Sequence, residues 1–204
     1  MRPVAVDPHF AARARTLHAV VVGASAGGVE ALLQIFADLG ADFHLPIVVV
    51  LHLPDDRLSQ LAEVFQQRLP LRVKEADDKE TLARGVLYFA PPGYHLSIER
   101  DHSLSLSREE PLHYSRPSID ILFESAVEAF DAGLLGILLT GASHDGAAGL
   151  ARIKAQGGLT VVQDPRQALV ATMPEAALAL HQPDYLLQLA DIRALLVELD
   201  KTLC

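Results

Sequence analysis

Four stretches of the chain are apolar without alternation: HAVVVG (18–23), PIVVVLH (46–52), LLGILLTG (134–141) and LTVVQD (159–164). Short runs rich in β-branched residues, bounded by Gly, Pro or Asp, predict strands buried on both faces. Between them apolar residues recur at helical spacing. Val29, Leu32, Leu33, Ile35 and Phe36 mark one face of a helix over 27–39, closed near Gly40. A second amphipathic stretch, 57–69, ends before Pro70; a third, 118–130, follows Pro117, which is expected in its first turn; a fourth, 145–156, runs into Gly157 and Gly158. In the middle, RVKEA, GVLYFAP, HLSIER and HSLSLSR are short or alternating, which predicts strands and hairpins and an antiparallel edge to the sheet. The turn between the last two falls around Arg100 and Asp101. Beyond 164 the pattern gives a helix, a strand at YLLQL and a terminal helix.

This alternation predicts an α/β fold: a doubly wound, mostly parallel sheet with helices on both faces and an antiparallel hairpin region in the middle. Residues 1–17 read as a leader or loose tail and 18–204 as a single domain, a reading that 204 residues without repeat or linker support. Half of the residues are hydrophobic and tryptophan is absent, so Val, Leu, Ile and Ala must build the core. The formal net charge of −9 disfavours nucleic acid or an anionic membrane as partner. No apolar run approaches the roughly 20 residues of a membrane span, and no secretory h-region is visible. One cysteine, Cys204 at the end of the chain, makes neither an internal disulfide nor a multi-cysteine metal site and fits a reducing cytoplasm.

Three of the apolar strands run into unusual sequences: GASAGG (23–28), LHLPDD (51–56) and LTGASHDGAAG (139–149). In an open α/β sheet, ligands and catalytic groups gather beyond the carboxyl ends of the strands. If the three strands are parallel, Ser25, His52 and Asp145 share one edge, with the roles of nucleophile, general base and orienting acid. Taken singly, each has a blander explanation. The G-x-S-x-G turn around Ser25 also suits a phosphate-binding loop, His52 alone is more often structural, and Asp145 is a good N-cap. The dinucleotide reading weakens because G-x-G-x-x-G is absent and the second strand ends in His52 instead of an acid; no Gly-Lys-Ser/Thr supports a P-loop. The chain order Ser, His, Asp also differs from the Ser, acid, His order of standard α/β-hydrolases. His44, His95, His113, His144 and His181 show no metal-binding spacing and read as ordinary polar or partly buried residues.

At these residues the sequence resembles the catalytic domain of the chemotaxis protein-glutamate methylesterases, the CheB family. The likeness runs from about Ala19 to Leu199. It includes Gly23 to Gly28, His52-Leu53-Pro54, Leu139 to Gly149, VKEA (73–76), YFAPPGYHL (88–96), RPSID (116–120), QDP (163–165) and MPEAA (173–177). The resemblance implies a carboxylic ester hydrolase that cleaves γ-glutamyl methyl esters on methyl-accepting chemoreceptors, releases methanol and also deamidates receptor glutamines. By position it makes Ser25, His52 and Asp145 the triad and the backbone N–H of Ala142 an oxyanion donor; Ala26 is a second candidate donor by local geometry. No metal or organic cofactor is implied, since the reaction needs only water. Departures from the family pattern are Ala26 for threonine, Ala142-Ser143 for Met-Gly, and Leu51-His52-Leu53 for Gln-His-Met. The residues before the first strand are too few for the family's receiver domain, so a separate response regulator, a stand-alone esterase or a longer parent chain are the alternatives. Hydrolysis of another ester or amide, and a non-catalytic scaffold of the same fold, remain competing functions. Arg57, Arg116 and Arg166 are expected to border the cleft and meet an acidic receptor surface.

Overall fold

Residues 8–52 and 60–204 are described by the structure, a computed structural model. Seven strands form one sheet, and every pairing in it is parallel: β1 (Ala19–Ala24), β2 (Ile47–Leu51), β3 (Arg72–Glu75), β4 (Val86–Phe89), β7 (Leu134–Leu138), β8 (Leu159–Gln163) and β9 (Tyr185–Leu187). Their order is β3-β4-β2-β1-β7-β8-β9. The remaining strands, β5 (His95–Ile98) and β6 (Leu104–Ser107), pair antiparallel in a separate two-stranded sheet.

The hairpin is therefore present and turns at Arg100 and Asp101, but it does not form an edge of the main sheet. RVKEA and GVLYFAP supply β3 and β4, parallel strands of that sheet. The difference has a physical origin in β3. It is the outer strand, and its first residue, Arg72, is exposed while Val73 is buried. That alternation is also the mark of an antiparallel strand with one wet face.

Alternate side chains of the central strands point to opposite faces, as the two-residue period of a strand requires. Val20, Val22 and Ala24 of β1 pack with α1 (Pro8–Ala14), α2 (Gly28–Phe36), α3 (Leu61–Gln66) and α7 (Leu189–Leu203). Ala19 and Val21 pack with α4 (Ile119–Phe130), α5 (Ala147–Ala155), α6 (Thr172–Leu180) and the β5–β6 hairpin. A loose tail does not describe residues 8–17. Phe10 and Ala14 of α1, and Leu17 after it, are buried in the first of these clusters, where they help to cover the sheet. Residues 1–7 lie outside the described residues, as does the first part of the predicted helix 57–69. Among the described residues no helix is long and apolar enough to cross a membrane.

The topology has one functional consequence. The chain leaves β1 toward β2 on one side and returns to β7 on the other, so the strand order reverses at β1. In such sheets the crevice lies at this reversal, beyond the carboxyl ends of the strands.

Candidate active site

Ser25 follows the last residue of β1, and two backbone hydrogen bonds fix its surroundings. Its N–H donates to Thr140 O at 2.9 Å on the β7 side, and His52 N donates to Ala24 O at 3.1 Å on the β2 side. Ser25 and His52 are thus the residues just beyond the paired Ala24 and Leu51. The turn after Ser25 needs Gly27, whose φ of 81° lies in the left-handed region and which forms the N-cap of α2. Gly141 permits a close approach from the other side. A methyl group placed on it would lie 2.9 Å from Ser25 Cβ and 2.6 Å from Met173 Cε.

His52 and Asp145 are joined directly: Nε2 lies 2.8 Å from Asp145 Oδ2, with the two side chains 13% and 0% exposed. A carboxylate there can only accept, so Nε2 carries the proton, and Nδ1 of the neutral ring is left with its lone pair. Ser25 is partly exposed, and no hydrogen bond joins its Oγ to His52. Of the three predicted residues, His52 and Asp145 are therefore in contact, and Ser25 stands at the adjoining strand end without a bond to His52; the hydrogen bonds of a catalytic pair commonly tighten only when substrate arrives.

Asp145 does more than orient His52. Its Oδ1 accepts from Ser118 Oγ at 2.8 Å and Asp120 N at 3.0 Å, and its Oδ2 also accepts from Ile119 N at 2.7 Å. The carboxylate thus sits on the N-terminus of α4, where unpaired N–H groups and the helix dipole favour a negative charge. It does not cap α5, the helix that follows it; Gly146, at φ 91°, holds that position. Burial, the largest single influence, opposes ionisation. The hydrogen bonds from His52, Asp120 N and Ile119 N together outweigh it and hold the Asp145 pKa below the ordinary carboxylate value.

A second buried acid stands beside the first. Asp120 is 3% exposed, accepts from Gly149 N at 2.7 Å, and faces His113 Nε2 at 3.6 Å. Burial pushes its pKa up to about 6; the bond from Gly149 opposes this, and the nearby Asp145 charge adds to it.

The N–H groups of Ala26 and Ala142 have no hydrogen-bond partner among the described residues. Both residues are exposed, one next to Ser25 and the other next to Gly141. Ser143, which stands where the family pattern has glycine, places its Oγ 3.3 Å from Asp145 N and so supports the turn that carries the acid. Thr140 ties the two sides together: its hydroxyl lies 2.8 Å from Ala26 O, and it accepts from Val170 N at 3.0 Å. Its own N–H donates to the buried Gln163 Oε1 at 2.8 Å.

Sequence reasoning did not single out Ser118, Asp120, Thr140 or Gln163 as parts of the site. Pro-Ser ahead of an apolar helical run signals an N-cap, and Ser118 is the N-cap of α4, accepting from Ile121 N; Pro117 precedes the cap instead of opening the first turn. His95, read as an ordinary polar residue, is 1% exposed and accepts from Ser118 N through Nδ1, so it braces the same cap. Of the three arginines expected at the cleft, Arg57 lies outside the described residues. Arg116 donates to Glu109 O and Arg166 forks onto Asp164. Among the described residues no group of three or more His, Cys, Asp or Glu side chains is arranged to hold a metal ion.

Comparison with known proteins agrees with this architecture. Residues 20–196 match the family model described as CheB methylesterase. A Leptospira interrogans protein is 44% identical over 183 residues, which are 90% of this chain and 95% of that protein. The Treponema pallidum protein-glutamate methylesterase/protein-glutamine glutaminase is 41% identical over 165 residues, 79% of this chain but 41% of that protein. The crystal structure of the Thermotoga maritima CheB methylesterase catalytic domain superposes with a TM-score of 0.85 at 31% identity, covering 90% of this chain and 98% of that one. The chain belongs to the CheB methylesterase family.

Proposed function

We propose that the protein is a serine hydrolase that cleaves glutamyl methyl esters on chemoreceptors and deamidates glutamines there, with Ser25 as nucleophile, His52 as general base and Asp145 as orienting acid. The observation that carries this reading is the His52–Asp145 hydrogen bond beside Ser25, at the strand ends where the strand order reverses. Family membership and the names of the relatives support the substrate class.

The neutral His52 ring offers Nδ1 to the serine proton because Asp145 holds the other proton on Nε2. Ser25 Oγ attacks the ester carbonyl as Nδ1 takes that proton. The negative charge moves to the carbonyl oxygen, where the free N–H groups of Ala26 and Ala142 stabilise it. Collapse of the tetrahedral adduct breaks the bond to the alcohol oxygen, which leaves as methanol with the proton from His52. Water then gives a proton to His52 and attacks the acyl-serine; release of the carboxylic acid returns the proton to Ser25. An amide substrate follows the same route with ammonia as the leaving group.

The catalytic unit is residues 18–204, with α1 packed onto it. Its substrates are the methyl-accepting chemoreceptors, and its site of action is the cytoplasm. The test is methanol release from methylated receptor fragments by wild type and Ser25→Ala. The proposal expects release by wild type and at least about a 10³-fold loss in the variant; equal release by both refutes it.

A further inference from the structure

The two strands beside β1 divide the site into unlike halves. His52 stands on the β2 side of Ser25, and Thr140, Gly141 and Ala142 stand on the β7 side. On that second side lies Leu169. A methyl group placed on Gly27 would be 2.8 Å from Leu169 Cβ and 2.9 Å from its Cδ2, so this leucine packs on the nucleophile's own turn. It is nevertheless 77% exposed.

An exposed leucine at a loose loop tip needs no explanation. This one sits on a segment fastened at both ends. Ala168 N donates to Asp164 O at 3.2 Å, Val170 N donates to Thr140 Oγ1 at 3.0 Å, and Gly141 N donates to Val170 O at 3.1 Å. Gln167 Oε1 accepts from Leu189 N at 2.7 Å. The fold thus holds an apolar side chain in solvent against the turn that follows Ser25.

We propose that Leu169 is a specificity-determining residue, the apolar wall against which the acyl part of the substrate lies. This rests on the serine-hydrolase mechanism above, which also decides which half of the ester it meets. The alcohol oxygen takes its proton from His52, so the leaving group lies on the β2 side. The carbonyl oxygen points to the N–H groups of Ala26 and Ala142. The acyl chain takes the remaining direction, past the turn at Gly27 on which Leu169 packs. The ligand class is an uncharged ester or amide whose carbonyl follows a chain of at least two methylenes, as a glutamyl side chain does.

The experiment compares wild type, Leu169→Ser and Leu169→Met on two series of esters: p-nitrophenyl acetate against butyrate, which lengthens the acyl chain, and methyl against propyl butyrate, which lengthens the alcohol. Each covered methylene is worth about fourfold in kcat/KM. Wild type should prefer butyrate to acetate by about four- to fifteenfold. Leu169→Ser should reduce that preference below about twofold, mainly through KM; Leu169→Met should restore it; the alcohol preference should not change between variants. Melting curves establish that Leu169→Ser is folded. An unchanged acyl preference in folded Leu169→Ser, or a change confined to the alcohol series, overturns the proposal. If the acyl preference is lost as expected but wild type releases no methanol from methylated receptor fragments, the receptor reading fails and the assignment of Leu169 stands. Failure of wild type to hydrolyse any ester overturns both.

Discussion

Replacing Asp145 by asparagine separates its two duties, because the four hydrogen bonds it accepts are known atom by atom. Asn has one oxygen where Asp has two. The orientation that loses least puts that oxygen at the present Oδ2 position, where it accepts from His52 Nε2 and Ile119 N. The new NH2 then occupies the Oδ1 position. It can donate to Ser118 Oγ, whose hydroxyl rotates to accept, but it confronts Asp120 N–H donor to donor. One buried N–H is left unpaired, which costs about 1–3 kcal/mol. Loss of the anion at the helix N-terminus adds to this by up to about 2 kcal/mol. A net loss of about 3 kcal/mol lowers Tm by about 6–12 °C for a chain of this size. Because the folded pKa of Asp145 is depressed, its contribution is complete above the unfolded value of about 3.9 and is lost as pH falls through the folded pKa. The gap in Tm between wild type and Asp145→Asn should therefore close below about pH 4. Activity responds differently. In this orientation the Nε2–H tautomer of His52 survives, and what disappears is the charge facing the imidazolium. With charge centres about 4 Å apart and an effective dielectric of about 20, that interaction is about 4 kcal/mol, or about 10³-fold in rate. Ester hydrolysis at pH 7.5 and thermal unfolding across pH measure both effects. A fall in kcat below tenfold, or an unchanged Tm at pH 7.5, would refute the reasoning.

Other predictions concern the residues around this acid. Asp120 has a folded pKa of about 6, above its unfolded value, so its ionised form opposes folding above that pKa. Asp120→Asn should therefore raise Tm relative to wild type at pH 8, by about 2–3 kcal/mol of stability, and leave it nearly unchanged at pH 4; a gain that does not grow with pH contradicts this. Ser118→Ala removes both the N-cap of α4 and a hydrogen bond to Asp145, and should cost about 2 kcal/mol in denaturant titrations. Gly141→Ala drives a methyl group against Ser25 Cβ and Met173. Met173 can move aside, but the nucleophile cannot without loss, so kcat should fall about 10²-fold with little change in Tm; wild-type kcat would show the approach to be looser than 2.9 Å.

The central strands were readable because β1, β2, β7 and β8 are buried on both faces, which leaves an unbroken apolar run whatever the order of the strands. Outer strands carry weaker marks. β3 exposes Arg72, and the alternation this produces does not distinguish a parallel edge from a hairpin. α1 was hidden for a related reason: Phe10, Ala14 and Leu17 are too few to set a periodicity, and only the sheet they cover shows why they are apolar. In the site, Ser25, His52 and Asp145 were legible because each follows a recognisable strand. The contacts that support them were not. The bond from Ser118 to Asp145 spans 27 residues and that from Thr140 to Ala26 spans 114, and pairings of that reach follow from topology, not from local pattern. Asp145 shows the limit most clearly. Its place in the sequence suggests an N-cap of the helix that follows it, whereas the carboxylate serves the N-terminus of α4 and His52 together.

The central claim is that Ser25 is the nucleophile and that His52 activates it. Peptide mapping by mass spectrometry after treatment with an alkyl phosphonofluoridate tests it most directly. The account predicts one adduct per chain, on Ser25, formed at least about 10²-fold more slowly in His52→Ala. An adduct on another residue, or labelling of Ser25 at the same rate without His52, would contradict it.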